Sequence, residues 1–564
     1  MIGDERPPSG PVSITRRTVA LTPRQREILG LLCEGKVNKE IARELDIGLG
    51  TVKQHLVTLF KRLNVRNRSM AVSQGMALLA PHAGQEGPAP ALMLEDANWV
   101  HEGILVRHPC VVLSLALPAA ESIQIRVAFQ RTLSGLACDA GILFIPHENG
   151  RGDLLFGIRR SSENDLIAAL QFIQLLQQQL AQGIGTALAF AGMSAALNAG
   201  MAVVSKGRQG SWSGEVVASP VIAASHRLLQ ETRDGDIHLG AMAREVLRSF
   251  GPVNAPLLPP SLPMANVSSL FRIDFDFDLL DQSSVHQVIW KKLAALLCDP
   301  TQGSMATIEG ETGMGKSHLC RALMGKCQAL GGQGKYLRAL PITAFALLCD
   351  TATGDFVSVE EALAMFSSPK YANPDLLVID DTHLLPQESQ ARLLAKAPQA
   401  IERGRVLLFS GRRMGKGIGD GIQLRRLTNE SVNNLLASIP PSAVLPAAAQ
   451  SSQRIQDLAA GVPLFAIELA RSTAAKPTLA LMMIIASRLD GLDLDWKLLQ
   501  TLAVGPTTME MTALAELLGE SGEEVEQSVM VAIRSGILSK VWGSDNAIGF
   551  RHPLVRQVIS LLGI

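Results

Sequence analysis

Gly310-Glu311-Thr312-Gly313-Met314-Gly315-Lys316-Ser317 is a glycine-spaced run that closes on an amine and a hydroxyl. Residues of these types at this spacing can hold phosphate. Glycines tolerate φ > 0 and carry no Cβ, so successive backbone N–H groups can turn inward around an anion. Lys316 would reach the β- and γ-phosphates of ATP, and the Ser317 hydroxyl would hold Mg²⁺. A second run, Asp375-Leu376-Leu377-Val378-Ile379-Asp380-Asp381, ends on two carboxylates. Its four apolar residues predict a buried parallel strand. Asp380 at the strand end would coordinate Mg²⁺ through water, and Asp381 beside it would polarise the attacking water. A third apolar run, Val406–Ser410, leads to Arg412-Arg413, where an arginine can read the γ-phosphate. The catalytic candidates are therefore Asp380, Asp381 and Arg412. The metal candidates are Ser317 and Asp380, and the cofactor is ATP or ADP with Mg²⁺.

Such a loop needs a strand before it and a helix after it. Met305-Ala306-Thr307-Ile308-Glu309 is the strand, and Leu319–Ala329 patterns as the helix, whose N-terminal dipole favours the same anion. A further helix is expected over Val285–Leu297. Later motifs narrow the class. Ala460-Gly461-Val462-Pro463-Leu464 resembles the Gly-x-Pro motif of STAND-type signalling ATPases, and Phe550-Arg551-His552-Pro553-Leu554-Val555-Arg556 resembles their winged-helix His motif. Ser487–Leu492 and Glu523–Gly536 fit the winged-helix segment between. The resemblance implies that Pro463 lies over the base and that His552 touches the β-phosphate of ADP in a closed state. Two departures stand out. Leu280–Ser284 occupies the place of an opening Gly-Arg pair, and no helical-repeat sensor array is expected after Ile564.

Near the other end, residues 21–78 hold ten Lys/Arg against five Asp/Glu in a chain of formal net charge zero. Thr22 can cap a helix with Pro23 at its first position. Ile28, Leu31 and Leu32 form its inner stripe, and Gly35 ends it. Asn38–Leu45 is a second short helix and Thr51–Leu63 a third, with a glycine-containing turn between them, the helix-turn-helix arrangement. Thr51–Arg68 carries five basic residues and no acid, a surface suited to phosphate neutralisation. The pattern Leu21-Thr22, Arg26-Glu27-Ile28-Leu29, Asn38-Lys39-Glu40-Ile41-Ala42, Thr51-Val52-Lys53 and His55 closely resembles the LuxR/FixJ-type DNA-binding domain. The resemblance implies a four-helix, usually dimeric module that puts Lys53 and Gln54 against bases and Lys39, Thr51, His55 and Arg62 near the phosphate backbone of double-stranded promoter DNA. Gly48 and Val57 depart from the family's usual polar residues.

Between these ends, Cys110–Leu117 is a strand candidate, and Gly141–Ile145 and Asp153–Ile158 flank a hairpin signal at Glu148-Asn149-Gly150-Arg151-Gly152. A helix is expected over Glu163–Ala181, a strand over Met201–Ser205, mostly helix over Val216–Gln230 and a short strand at Ile237–Leu239. The region resembles the class III nucleotide cyclase homology domain, through Asn198–Gly207 and Gly214-Glu215 followed by Ile222–Leu228. Cyclase chemistry needs paired carboxylates to clamp a triphosphate. Val111–Leu117 contains none; Asp153 or Asp139 is the remaining metal candidate, and Ala223 stands at the catalytic Asn position, leaving Arg227. A non-catalytic sensor or dimerisation unit is expected.

The chain has 564 residues, of which 47% are hydrophobic and 4% aromatic, so aliphatic cores are expected. Its seven cysteines show no zinc or disulfide spacing, which fits a reducing cytoplasmic setting. The amino terminus has no apolar signal segment. The uncharged stretch Leu166–Ser205 is Gly- and Ala-rich, without a Lys/Arg cluster or aromatic belt, and reads as a buried helix and strand rather than a membrane span. The expected architecture is multidomain. It begins with a flexible tail (1–20), an all-α helix-turn-helix head (21–78), a linker (79–94) and an α/β cyclase-like domain (95–248). A proline-rich linker (249–267), an α/β P-loop NTPase with a parallel sheet (268–475) and an α-helical winged-helix C-terminal region (476–564) follow. The expected function is an ATP-regulated DNA-binding transcription regulator, a homodimer or larger homo-oligomer answering to a small-molecule or protein inducer. A slow ATPase and a permanently ADP-bound scaffold both fit the motifs. The alternative is a nucleotide cyclase regulated by its ATPase and DNA-binding domains.

Overall fold

The computed structural model describes residues 27–31, 43, 45, 104–118, 121–183, 192–207, 212–250, 257–272, 287–298, 303–369, 374–412, 420–439, 452–472, 477–490, 492, 494–541 and 546–563. The chain forms two units, residues 1–98 and 99–564. In the first, Glu27–Leu31 is helical, and Ile28 and Leu29 are fully buried. Lys39, Thr51, Lys53, Gln54, His55 and Arg62 lie outside the described residues, as do both the tail and the 79–94 linker.

The second unit opens with strand β1 (Ile104–Ala116), helix α1 (Ile123–Asp139), the hairpin β2 (Leu143–His147) and β3 (Arg151–Phe156), and α2 (Asp165–Gly183). β4 (Ser194–Lys206), β5 (Trp212–Ala218), α3 (Pro220–Glu231), β6 (Asp236–Leu239), α4 (Ala241–Phe250) and β7 (Ser261–Pro263) follow. Ser122 caps α1 by accepting from the Ile125 N–H, and Phe129, Leu133, Leu136 and Ala137 make its buried stripe. The sheet runs β2-β3-β1-β4-β6-β7, with β5 also on β4. The end of the uncharged stretch, Ser194–Ser205, lies in β4, which pairs with β1 along its whole length. Among the described residues no helix is long and apolar enough to cross a membrane.

One expectation is trimmed at its edge here and another is corrected. Val216–Gln230 is mostly helix, as expected, but its first residues are not: β5 continues to Ala218, and Pro220 starts α3 at a position where its missing N–H costs nothing. The stretch 249–267 is not simply a linker. β7 pairs with β6, and Leu262, Met264 and Val267 are buried in the core. Proline is tolerated there because β7 is an edge strand.

A second sheet is built from α5 (Gln287–Ala295), β8 (Ser304–Glu309), α6 (Lys316–Ala329), β9 (Gln333–Ala339), β10 (Leu347–Asp350), β11 (Phe356–Ser358), α7 (Val359–Ser367), β12 (Asp375–Asp380), α8 (Gln387–Glu402), β13 (Val406–Gly411) and β14 (Asp420–Gln423). Its order is β11-β10-β9-β12-β13-β8-β14. β9, β12, β13, β8 and β14 are parallel, while β10 and β11 add an antiparallel edge. All six residues of β12 are buried, as the continuous apolar run requires.

Helices α9 (Asn429–Ser438), α10 (Ser452–Ala459), α11 (Pro463–Arg471), α12 (Leu479–Leu489) and α13 (Trp496–Val504) lead to β15 (Thr508–Glu510), α14 (Met511–Leu518), α15 (Gly522–Arg534), β16 (Leu538–Lys540), β17 (Ala547–Phe550) and α16 (Pro553–Leu562). β15, β17 and β16 form an antiparallel sheet, so the carboxy-terminal region is not purely helical. One hydrophobic core joins Val106, Val112 and Val204 of the first sheet to Val378 of the second, to Leu323 of α6 and to Leu489 and Leu562 beyond.

Candidate nucleotide-binding site

The loop Gly310–Ser317 leaves β8 and enters α6. Gly313 and Gly315 have φ of 81° and 94°, the left-handed region that favours glycine. A Cβ on Gly313 would also stand 2.9 Å from the Leu464 Cβ. Lys316 is buried, and its Nζ donates to the carbonyls of Gly310 (2.9 Å) and Glu311 (3.0 Å). Burial draws the ammonium below its ordinary value, against the pull of Asp381, Asp380 and Glu163. Met314 is buried beneath the loop, and Ser317 lies in the first turn of α6.

Asp380 ends β12 fully buried. Tyr336 Oη donates to its Oδ2 at 2.6 Å, and Ser410 Oγ donates to its Oδ1. Asp381 has φ 56°, a left-handed backbone uncommon outside glycine. Its Oδ2 accepts from Arg338 Nε at 3.1 Å. In this arrangement both carboxylates are engaged by protein donors. Next to them, both ring nitrogens of His383 are buried without a hydrogen-bond partner among the described residues. Burial pushes this imidazole below its ordinary value, and it feels the charges of Asp381, Arg412, Glu163 and Lys316.

Pro463 begins α11 directly on the loop, where the Leu464 N–H donates to the Gly313 carbonyl at 3.1 Å. The ring of Phe465 packs edge-on against His552 at 5.7 Å and under Arg488 at 5.9 Å. Arg488 Nη2 pairs with Glu311 at 2.5 Å. His552 caps α16, its Nδ1 accepting from the Leu554 N–H at 3.2 Å. Burial, with Arg426 and Arg488 nearby, pushes it down to about 4. The fold thus gathers Gly310–Ser317, Asp380, Asp381, Arg412, Pro463 and His552 around one loop.

Glu163, which sequence reasoning treated only as a helix start, enters the same place from the first sheet. It is 8% exposed. Its Oε1 accepts from Thr312 Oγ1 at 3.0 Å and its Oε2 from Arg412 Nη2 at 2.7 Å. Its loop is held on both sides. The Ser161 N–H donates to Asp490 Oδ2 at 2.8 Å, and the Ser162 N–H donates to Asp165 Oδ2 at 2.9 Å. Asp490 also pairs with Lys206 and lies 3.4 Å from His108 Nε2. Burial works against its charge, but His108 and Lys206 hold the carboxyl well below the usual range. A lone acid 149 residues before Thr312 carries no local signal of this role.

In the first sheet Asp153 stands directly opposite Ser114, whereas Asp139 ends α1. Ala223 and Arg227 are exposed on α3.

Residues 19–74 match the family model for bacterial regulatory proteins of the luxR family. Over 52 residues the chain is 56% identical to YhjB of Escherichia coli (strain K12), provisionally an HTH-type transcriptional regulator. That match covers 9% of this chain and 26% of that protein. It is 52% identical over 54 residues to the monoamine regulon transcriptional regulator of Klebsiella aerogenes, covering 10% and 24%. It is 43% identical over 63 residues to the HTH-type transcriptional regulator MalT of Vibrio cholerae, covering 11% and 7%. The likeness thus spans about a quarter or less of these relatives' lengths. Among solved structures, a single-substitution variant of Thermotoga maritima RuvB aligns over 47% of this chain and 90% of its own at 18% identity and TM-score 0.27. The replication initiator DnaA bound to AMPPCP and single-stranded DNA aligns over 46% and 93% at 14% identity and TM-score 0.27. The guanylyl cyclase Cya2 aligns over 25% and 78% at 18% identity and TM-score 0.19. Scores this low carry no inference.

Proposed function

We propose that this chain is an ATP-regulated, DNA-binding transcription regulator in which nucleotide state at Gly310–Ser317 controls promoter binding by the amino-terminal head. The luxR-family match over residues 19–74 supports the DNA-binding half. The observation that carries the regulatory half is the convergence of the glycine loop, Lys316, Arg412 and Glu163. The residues present fit a nucleotide: a loop whose glycines leave room for phosphate, a buried lysine folded into it, and a His383 whose two buried ring nitrogens have no hydrogen-bond partner among the described residues. Lys316 would hold the terminal phosphates, Ser317 and Asp380 the Mg²⁺, and Pro463 and His552 the base and β-phosphate side. A bound ion would supply charge neutralisation between phosphates.

Arg412 now bonds Glu163. It can serve that carboxylate or a third phosphate, and the two are alike in charge. ADP leaves the Glu163–Arg412 contact intact; ATP competes with it. This gives the two nucleotides different affinities for the two arrangements, without which no ligand shifts an equilibrium. Because Asp380 and Asp381 are both engaged, hydrolysis is slow, and the bound state rather than the product is the output. Lys316→Ala removes an ammonium that makes charge-assisted bonds. Its ATP affinity, measured by equilibrium titration, is expected to fall about 10–100-fold; unchanged affinity would sink the site assignment.

A further inference from the structure

Away from the glycine loop, the β2–β3 hairpin and α3 bring two imidazoles onto one carboxylate. His147 Nε2 lies 2.6 Å and His226 Nε2 2.8 Å from the same oxygen, Asp153 Oδ2. The three ligand atoms all lie within 4.8 Å of one another. The rings meet edge to face, centroids 5.3 Å apart.

The sequence builds this locally. In the three-residue turn Glu148–Gly150, Asn149 and Gly150 have φ of 61° and 71°, which returns the chain tightly on itself. His147 pairs with Arg151, and Asp153 lies two residues farther along, so both side chains stand on one face of the hairpin. Ser114 faces Asp153 across the β1–β3 register. Its hydroxyl donates to Asp153 Oδ1 at 2.6 Å and lies 2.9 Å from Ser225 Oγ, and both serines are fully buried. His226 is the next residue on α3. The carboxylate is therefore fixed from behind with its side chain 2% exposed, while the imidazoles in front are 36% and 41% exposed. Gln130 Nε2 anchors the hairpin end by donating to the His147 carbonyl at 2.7 Å.

We propose that His147, Asp153 and His226 form a binding site for one divalent transition-metal ion of the zinc type, with a coordination position open to solvent. One carboxylate oxygen facing two Nε2 atoms at hydrogen-bond distance requires a proton on each nitrogen. A divalent ion replaces both, with ligand bonds of about 2.0–2.2 Å. Two imidazoles and one carboxylate suit Zn²⁺ and its neighbours over Mg²⁺ or Ca²⁺, which take oxygen ligands. The donor set also differs from the paired carboxylates of a cyclase: Ser114, opposite Asp153, is no acid and serves to orient that carboxylate. The proposal is independent of the nucleotide reading.

The test uses the full chain, stripped with a chelator, reloaded with Zn²⁺ or Co²⁺ and desalted. One Zn²⁺ retained per chain is expected, together with the visible absorption of low-coordinate Co²⁺ and a Zn²⁺-dependent rise in the denaturation midpoint. The His147→Gln/His226→Gln pair is expected to lose all three, with an unchanged metal-free midpoint because both side chains are half exposed. Ser114→Ala is expected to weaken Zn²⁺ binding about 10–100-fold, as loss of an orienting partner does. No retained Zn²⁺ in the wild type, or equal retention in the double variant, would overturn the proposal. Should the double variant misfold, the wild-type Co²⁺ spectrum alone decides, a six-coordinate or absent signal counting against the site.

Discussion

Glu163 brings a carboxylate to the loop beside Lys316 and Arg412, the two cations there that suit phosphate. Glu163→Gln keeps the shape and removes the charge. ATP affinity is therefore expected to rise about tenfold, the scale of one charge-assisted hydrogen bond, while ADP affinity stays within a factor of about two. Equal shifts for the two nucleotides in parallel titrations would count against competition at Arg412. The two kinds of residue differ in how visible they are in sequence. Lys316 and Ser317 announce themselves because the glycine-spaced pattern they close is written in neighbours along the chain. Glu163 does not, because its partners come from β8–α6 and the end of β13, and any acid at a helix start looks the same. Asp381 marks the opposite case. Its type and position were legible, but its bond to Arg338 depends on β9 lying beside β12.

At the scale of elements, periodicity and breakers located most strands and helices around the loop, since buried parallel strands read as continuous apolar runs. Prolines misled at 249–267, where an edge strand accepts them, and the strand β5 just ahead of α3 was not foreseen. The α16 cap is the element with a pH signature. Folding pushes His552 from 6.5 to about 4, so its contribution is complete above pH 6.5 and is lost as pH falls through about 4. His552→Asn retains a side-chain acceptor for the Leu554 N–H without titrating there. Between pH 6.5 and 4 the wild type is expected to lose more denaturation midpoint than this variant; parallel losses would contradict the placement of His552 in a buried, cationic surrounding.

At the scale of the molecule, the first sheet is held to the carboxy-terminal helices by a shared core and by the buried pair Lys206–Asp490, 1% and 3% exposed. Nothing in either residue's neighbourhood in sequence points to the other, 284 positions away. Lys206→Met removes the ammonium from a buried carboxylate left with the Ser161 N–H and His108 and is expected to cost about 3 kcal/mol, with Lys206→Met/Asp490→Asn, which keeps an acceptor without the charge, recovering part of the loss in denaturation midpoint. Asp490 also holds the loop that delivers Glu163, so under the proposed function stability and nucleotide state would share one interface. The most direct measurement is DNA affinity of the full chain, on a duplex selected by the chain itself from random sequence, with ADP and with a non-hydrolysable ATP analogue. A difference between the two nucleotides in the wild type, abolished in Lys316→Ala, is the expected result; the same affinity with both in the wild type would contradict nucleotide control of DNA binding.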